Sequence, residues 1–481
     1  MQLNKQFLTG KARAVLPEKV LQFGTGVLLR GLPDYFIDKA NKAGIFNGRI
    51  VVVKSTDKGN TDAYNEQDYL YTHCIQGIMQ GRRVEESIVN DAISRVLSAT
   101  GEWEQILQCA TDPEMEIIIS NTTEVGITLT ADNIHAAPPA SFPGKLLAFL
   151  LRRYQHFKGD TNKGMVIIPT ELIPDNGTKL KHILSELAQQ HQLEAAFIDW
   201  LSTANHICNS LVDRIVPGAL PAAAQAAVEA QLGYTDKLMI MSEPYALWAI
   251  ETSSERVRKV LAFAPADSGV VLAPDINIFR ELKLRLLNGT HTLSCGLAVL
   301  AGFDTVKEAM EDAAMESCIS ALAQHEIVPA ITDVAVREDV ALRFAGSVLD
   351  RFRNPFIEHR WQSITMQYTS KIKMRVIPVI VRHYQRLEEV PALMALGFAA
   401  YLLFMRDGTV TDDYADYFKE KWQRLEPAVL VQTVLKDTAL WGVDLTQLPG
   451  FAHAVTIMMK GLLTEGAASL IRRVSEETTI A

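Results

Sequence analysis

Only five cysteines occur in 481 residues, at positions 74, 109, 208, 295 and 318. None forms a C-x-x-C pair or a zinc-ligand cluster, so neither a structural zinc site nor a disulfide framework is expected. Buried free thiols in a reducing cytoplasm are expected instead. Long apolar runs are missing too. The longest, Ala392 to Met405, has 14 residues; it falls short of the roughly 20 that span a bilayer and reads as a buried helix, with no membrane partner. The amino terminus lacks an apolar core followed by a small-residue cleavage site, so secretion is not expected. Basic excess is absent as well. With 47 Lys and Arg against 56 Asp and Glu, the net charge is -9, which argues against a general nucleic-acid binder and leaves room only for a local basic pocket. No internal repeat or low-complexity tract is visible.

What is present is core-forming sequence, 48% hydrophobic, enough for two domains. Lys19 to Phe23 reads as a short strand ending at Gly24-Thr25-Gly26; Val27 to Lys39 follows at helical spacing, and Arg49 to Val53 is a second buried strand. Gly24 and Gly26 suit close approach of a pyrophosphate, although Leu29 stands where a third fingerprint glycine would be. The pattern alone reads equally as a dinucleotide cradle or an ordinary strand-to-helix turn. At the end of the second strand, where an acidic residue would bind an adenosine ribose, stands Lys54, with Asp57 farther along. The choice between NAD and NADP therefore stays open. Glu116 to Ser120, Met165 to Ile168 and Lys237 to Met241 are further parallel-strand candidates, separated or flanked by helical stretches near 144 to 157, 179 to 190 and 220 to 232.

The expected fold is an α/β Rossmann-like domain over residues 1 to 272 and a mainly α-helical domain over 273 to 481. The second domain reads as helices at 280 to 301, 305 to 324, 337 to 348, 376 to 386, 391 to 404 and 454 to 465. Polar segments at 120 to 124, 169 to 177 and 205 to 214 are candidates for the ligand crevice, the first two because they follow strands.

Lys283-Leu-Arg-Leu-Leu-Asn288-Gly-Thr-His291 opens the helical domain. At about 100 degrees per residue, Asn288 falls near 140 degrees and His291 near 80 degrees from Lys283, so all three share one broad face. Gly289 inside this pattern marks a candidate for close backbone approach. Reduction of a ketone places alkoxide character on its oxygen, which needs a proton and pre-placed donors. A lysine ammonium meets the first need; an amide and an imidazole meet the second. No convergent Cys/His/carboxylate set competes, so no metal is expected.

These segments resemble the long-chain polyol dehydrogenase family typified by mannitol 2-dehydrogenase. The resemblance rests on Gln22-Phe23-Gly24-Thr25-Gly26 with Arg30, Ser120-Asn121-Thr122-Thr-Glu124, Pro169-Thr-Glu-Leu-Ile173, Leu211-Val-Asp-Arg214-Ile-Val216, Lys283 to His291, and Arg351-Phe-Arg353-Asn-Pro-Phe-Ile357 with His359. It implies a nicotinamide cofactor, NAD before NADP, held by Phe23, Gly24, Thr25, Gly26, Lys54, Asn121 and Thr122. It also implies catalysis by Lys283 with Asn288, His291 and Asn209, and an acidic substrate contact at Glu243. Family members usually act as metal-free monomers. The segments outside the K-x4-N-x2-H arrangement favour a hexuronate branch: tagaturonate reduced to altronate in the cytoplasm, with fructuronate, then mannitol or arabinitol, as alternative substrates. A catalytically silent nucleotide sensor is the alternative of another class. A carboxylate substrate calls for cations, and the candidates are Arg351, Arg353, Lys373, Arg375 and Arg214. Val27-Leu28 replaces the family's usual asparagine-phenylalanine after the glycine motif.

Overall fold

The computed structural model describes residues 1–8, 16–55, 61–122, 126–333, 335–407 and 410–480. Asp57 and Glu124 lie outside them. The chain divides into two compact units, Met1–Gln76 with Val84–Ile276, and Gly77–Arg83 with Asn277–Ala481. The sequence places a single boundary at 272/273. The short insert 77–83 groups with the second unit through non-local bonds that no local pattern announces: the Gly81 amide donates to Asp350, and Arg83 lies over the Phe356 ring.

Unit 1 contains strands β1 (Glu18–Phe23), β2 (Arg49–Lys54), β5 (Ile93–Ser98), β6 (Ile117–Ser120), β7 (Val166–Pro169) and β8 (His206–Ile207). They form one parallel sheet in the order β5-β2-β1-β6-β7-β8. Alternate residues feed two separate cores. Leu21, Phe23, Val51, Val53 and Ile118 pack on one face, and Val20, Ile50, Val52, Ile117 and Ile119 on the other. The continuous apolar runs thus reflect a sheet covered on both sides.

Two smaller sheets complete the strand set. One joins β10 (Ile240–Ser242), β3 (Tyr71–Met79) and β4 (Arg82–Asn90); the other joins β12 (Val270–Ala273), β11 (Leu247–Glu251) and β9 (Ser210–Asp213). The expectation of 237 to 241 as another strand of the sequence's main sheet is corrected here, because β10 pairs in parallel with β3 instead. The single helix expected from Val27 to Lys39 is two, Val27–Gly31 and Pro33–Lys42. Leu32 leaves helical geometry ahead of Pro33, as steric conflict with the proline ring demands.

Unit 2 is helical, with no strand among its described residues beyond 276. Its core runs through Leu286, Leu293, Phe352, Trp361, Tyr368, Phe398 and Tyr401. Three stretches, Leu282–Leu287, Leu322–Ile327 and Ile372–Val376, are π-helical, and the first touches both others. Among the described residues no helix is long and apolar enough to cross a membrane, and no group of His, Cys, Asp and Glu is placed to hold a metal ion.

Candidate active site

In unit 1 the carboxyl end of β1 turns at Gly24, whose amide donates to the Val53 carbonyl. Gly24 has φ of +128°, and a β-carbon there would stand 2.9 Å from both the Asn121 carbonyl and Leu29 Cδ1. Only glycine suits that backbone and that space. Gly26 is different. It is exposed and extended, with nothing within 4 Å of where a side chain would begin. A closed turn followed by an open, bare backbone at the carboxyl edge of a parallel sheet fits a dinucleotide phosphate. Leu29 is fully buried and fills the space beneath the turn, so the absent third glycine leaves no gap.

The other crevice residues are tied together by hydrogen bonds. Asn121 Nδ2 donates to the Thr170 carbonyl and hydroxyl oxygens, while the Thr122 amide and hydroxyl and the Ser120 hydroxyl all donate to the Glu171 carboxylate. Asn176 Nδ2 donates to the carbonyls of Pro169, Glu171 and Ser210. Glu171 and Asn176 had no role assigned from sequence; their place in the 169 to 177 segment was the available signal. Asn209 accepts from the Thr178 amide at 2.9 Å and donates to Glu251 at 3.2 Å. Phe23 is buried edge-to-face against Phe142; Thr25 is half-buried, and so is Lys54, which ends β2.

Glu243 is fully buried and accepts from the Ile215 amide at 2.6 Å. Arg214 is buried beside it. Its guanidinium donates to the Glu243 and Gly31 carbonyls and lies over the Tyr35 ring, and burial lowers its pKa to about 10. Two of its donors brace unit 1, while its Nη2 has no hydrogen-bond partner among the described residues.

In unit 2 the Lys283 segment departs from the regular wheel. Leu282–Leu287 is π-helical, and the Asn288 amide donates to the Lys283 carbonyl, five residues back. One hydrogen-bonded turn therefore brings Asn288 over Lys283, in place of the wide offset that α-helical spacing gives. Three residues on, in the helix Asn288–Ala301, His291 shares the Asn288 face. Gly289 is not required for close approach; a β-carbon would meet the Arg375 and Leu284 carbonyls at 3.9 Å, an ordinary contact.

His291 is buried, with its ring stacked 3.9 Å from Phe352 and edge-on to His359. Its Nε2 has no hydrogen-bond partner among the described residues. Burial first, then His359, Arg351, Arg375 and Lys371, hold its pKa well below the usual imidazole range, so the ring is neutral near pH 7. Of these, Arg351, Arg375 and Lys371 are the cations that the fold brings near His291. Arg375 donates to Thr292 Oγ1 at 3.3 Å, and that hydroxyl donates to the Asn288 carbonyl at 2.6 Å. Lys371 was missed from sequence; it stands one helical turn before Arg375 and donates to the Ile364 carbonyl. Two other clamp candidates are placed differently. Arg353 is ion-paired with Glu316 and Asp350, and Lys373 is exposed.

Residues 18–261 match the family model of the mannitol dehydrogenase Rossmann domain, and residues 275–463 that of the mannitol dehydrogenase C-terminal domain. The chain belongs to the mannitol dehydrogenase family. It is 38% identical to altronate oxidoreductase of Bacillus subtilis over 92% of both chains. With altronate oxidoreductase of Yersinia enterocolitica it shares 36% over 98% of this chain and 99% of the relative. Among solved structures, mannitol 2-dehydrogenase of Pseudomonas fluorescens in a ternary complex with NAD and D-mannitol matches at 22% identity and a TM-score of 0.68, covering 99% of this chain and 100% of that one. A D-sorbitol dehydrogenase matches at 19% identity and a TM-score of 0.77, covering 98% and 100%. The mannitol dehydrogenase fold thus extends over nearly the whole chain.

Proposed function

We propose that this mannitol dehydrogenase family member is an NAD(H)-dependent oxidoreductase of the cytoplasm that interconverts tagaturonate and altronate. The observation that carries the chemistry is the π turn that stacks Asn288 over Lys283 beside a buried, neutral His291. The substrate is supported by the altronate oxidoreductases that match along nearly their full length. Bound nicotinamide dinucleotide supplies hydride in reduction and accepts it in oxidation.

The residues of this chain do the rest. Gly24, Thr25 and Gly26 present backbone to the dinucleotide phosphates, and the ties from Asn121 and Thr122 to the 170–171 segment hold the neighbouring strand ends still. Lys283 gives its proton to the carbonyl oxygen as it becomes an alkoxide, and takes it back in oxidation. Asn288 and neutral His291, through the unpartnered Nε2, donate to that oxygen; a neutral imidazole adds a hydrogen bond without placing a second positive charge beside the ammonium. The carboxylate of the hexuronate is met by the cations grouped around His291, namely Arg351, Lys371 and Arg375. Asn209 is a further active-site amide and Glu243 an acidic substrate contact, and the protein acts as a monomer.

The test is NADH and NADPH oxidation with tagaturonate, fructuronate and fructose, by the wild type and Lys283→Ala. Tagaturonate with NADH is expected to be fastest, and the variant to bind NADH while losing at least about 100-fold in turnover. Preference for fructose would remove the carboxylate reading, and normal turnover by Lys283→Ala would remove the proton-transfer role.

A further inference from the structure

A π turn is a rare backbone state, and tertiary contacts must hold it against relaxation to α-helix. The Lys283 turn has such contacts. Within it, Arg285 donates through Nε to Glu281 Oε2 at 3.3 Å and through Nη1 to the Met374 carbonyl. Met374 lies in the third π stretch, Ile372–Val376. Glu281 in turn accepts from Arg382 at 2.7 Å, on the helix Ile377–Arg386 that continues that stretch. On the far side of Asn288 the bond from Arg375 to Thr292 makes another tie between the same two elements. The backbone that carries Lys283 and Asn288 is therefore fastened to one neighbouring helix both before and after the pair.

We infer that Arg285, bridging Glu281 and the Met374 carbonyl, is a positioning residue that locks the π turn and so keeps Lys283 and Asn288 stacked across one turn. It acts through Lys283 and carries no proton itself. The planar guanidinium suits this task because its donors serve a carboxylate and a carbonyl at once, on two elements and at fixed angles; an ammonium on a flexible stem holds that geometry less well. The side chain is mostly covered, with 12% of its surface exposed, so loss of the donors takes this partner from the Met374 carbonyl and leaves Glu281 to Arg382. The inference rests on the proposed role of Lys283 in proton transfer.

Arg285→Met keeps much of the aliphatic stem and removes the donors. It is expected to lower kcat with tagaturonate about 10- to 100-fold, the range for displacing a reacting group by about an ångström, while the NADH Kd stays within about twofold. The solvent deuterium isotope effect on kcat should rise, because proton delivery becomes slower. Amide exchange in the peptide spanning Lys283 to His291 should quicken selectively. Arg285→Lys should recover part of the loss, and Arg382→Met, at the more exposed end of the chain of bonds, should show the same pattern more weakly. Quickened exchange with unchanged kcat and isotope effect would overturn the inference, and so would unchanged exchange. Lys283→Ala assayed in parallel separates the two ideas. If that variant turns over normally, the functional reading falls; if it is inactive while Arg285→Met is normal, only the brace falls.

Discussion

Asp34 is fully buried close to the glycine turn and accepts only a long bond, 3.5 Å from Gln22; its Oδ1 has no partner among the described residues. Burial, opposed by Gln22 and the nearby Arg30, lifts its pKa from 3.8 to about 8. The folded protein therefore keeps a proton on Asp34 that the unfolded chain releases near pH 4. Between those values the native state binds more protons, so stability falls as pH rises, by at most about 1.4 kcal/mol per pH unit. Asparagine never ionises. Asp34→Asn should gain on the wild type as pH rises from about 5 to about 8, read as diverging urea midpoints; a constant difference would show that Asp34 is already charged in the fold. The burial of Asp34 was not legible in the sequence, because Asp34 and Asp38 sit in the same helical pattern and only packing shows that both are enclosed.

At the scale of elements, the three π stretches explain why the helical reading of the second domain was right in kind and inaccurate in register. Apolar spacing continues through Leu282 to Leu287, and the extra residue in the turn leaves no compositional mark. The second π stretch has a different use. Glu326 reaches the start of the helix Ala392–Phe404, where Pro391 offers no side-chain cap, and accepts from the Leu393 and Met394 amides at 2.7 Å each. A carboxylate at a helix amino terminus satisfies otherwise unpaired donors and the helix dipole. Glu326→Ala should cost about 1 to 2 kcal/mol, within the range for losing a cap, and should speed amide exchange at Leu393 and Met394 before the rest of the helix. Unchanged protection there would mean that solvent replaces the carboxylate. The broken first helix, by contrast, was readable in principle from Pro33, whose ring disfavours helical geometry at Leu32.

Across the whole molecule all five cysteines are free and buried. Burial pushes Cys109 up to about 11, and Cys208, Cys295 and Cys318 to about 12, which leaves almost no reactive thiolate near neutrality. A disulfide-exchange reagent should therefore find no rapidly reacting thiol in the native protein and titrate all five after denaturation. A fast native equivalent would locate a site of local opening. The distribution of cations is equally a property of the whole. Of five sequence candidates for the carboxylate clamp, Arg353 is ion-paired within its own unit, Lys373 is exposed and Arg214 is buried with one donor, Nη2, unpartnered among the described residues, while Arg351 and Arg375 stand near His291 with Lys371.

The sequence by itself determined what depends on local spacing: a strand ending in Gly24-Thr25-Gly26, apolar strands for a sheet buried on both sides, a change to helix after about residue 273, and the linked lysine, amide and imidazole. Those features follow from covalent order and short-range sterics. Only the tertiary structure decided that β10 leaves the main sheet, that a π turn stacks Asn288 over Lys283, and which guanidiniums become braces. Each of those outcomes depends on partners far away in the chain. Long-range packing, charge burial and hydrogen bonding choose among backbone registers and side-chain directions that local sequence leaves nearly equal in energy.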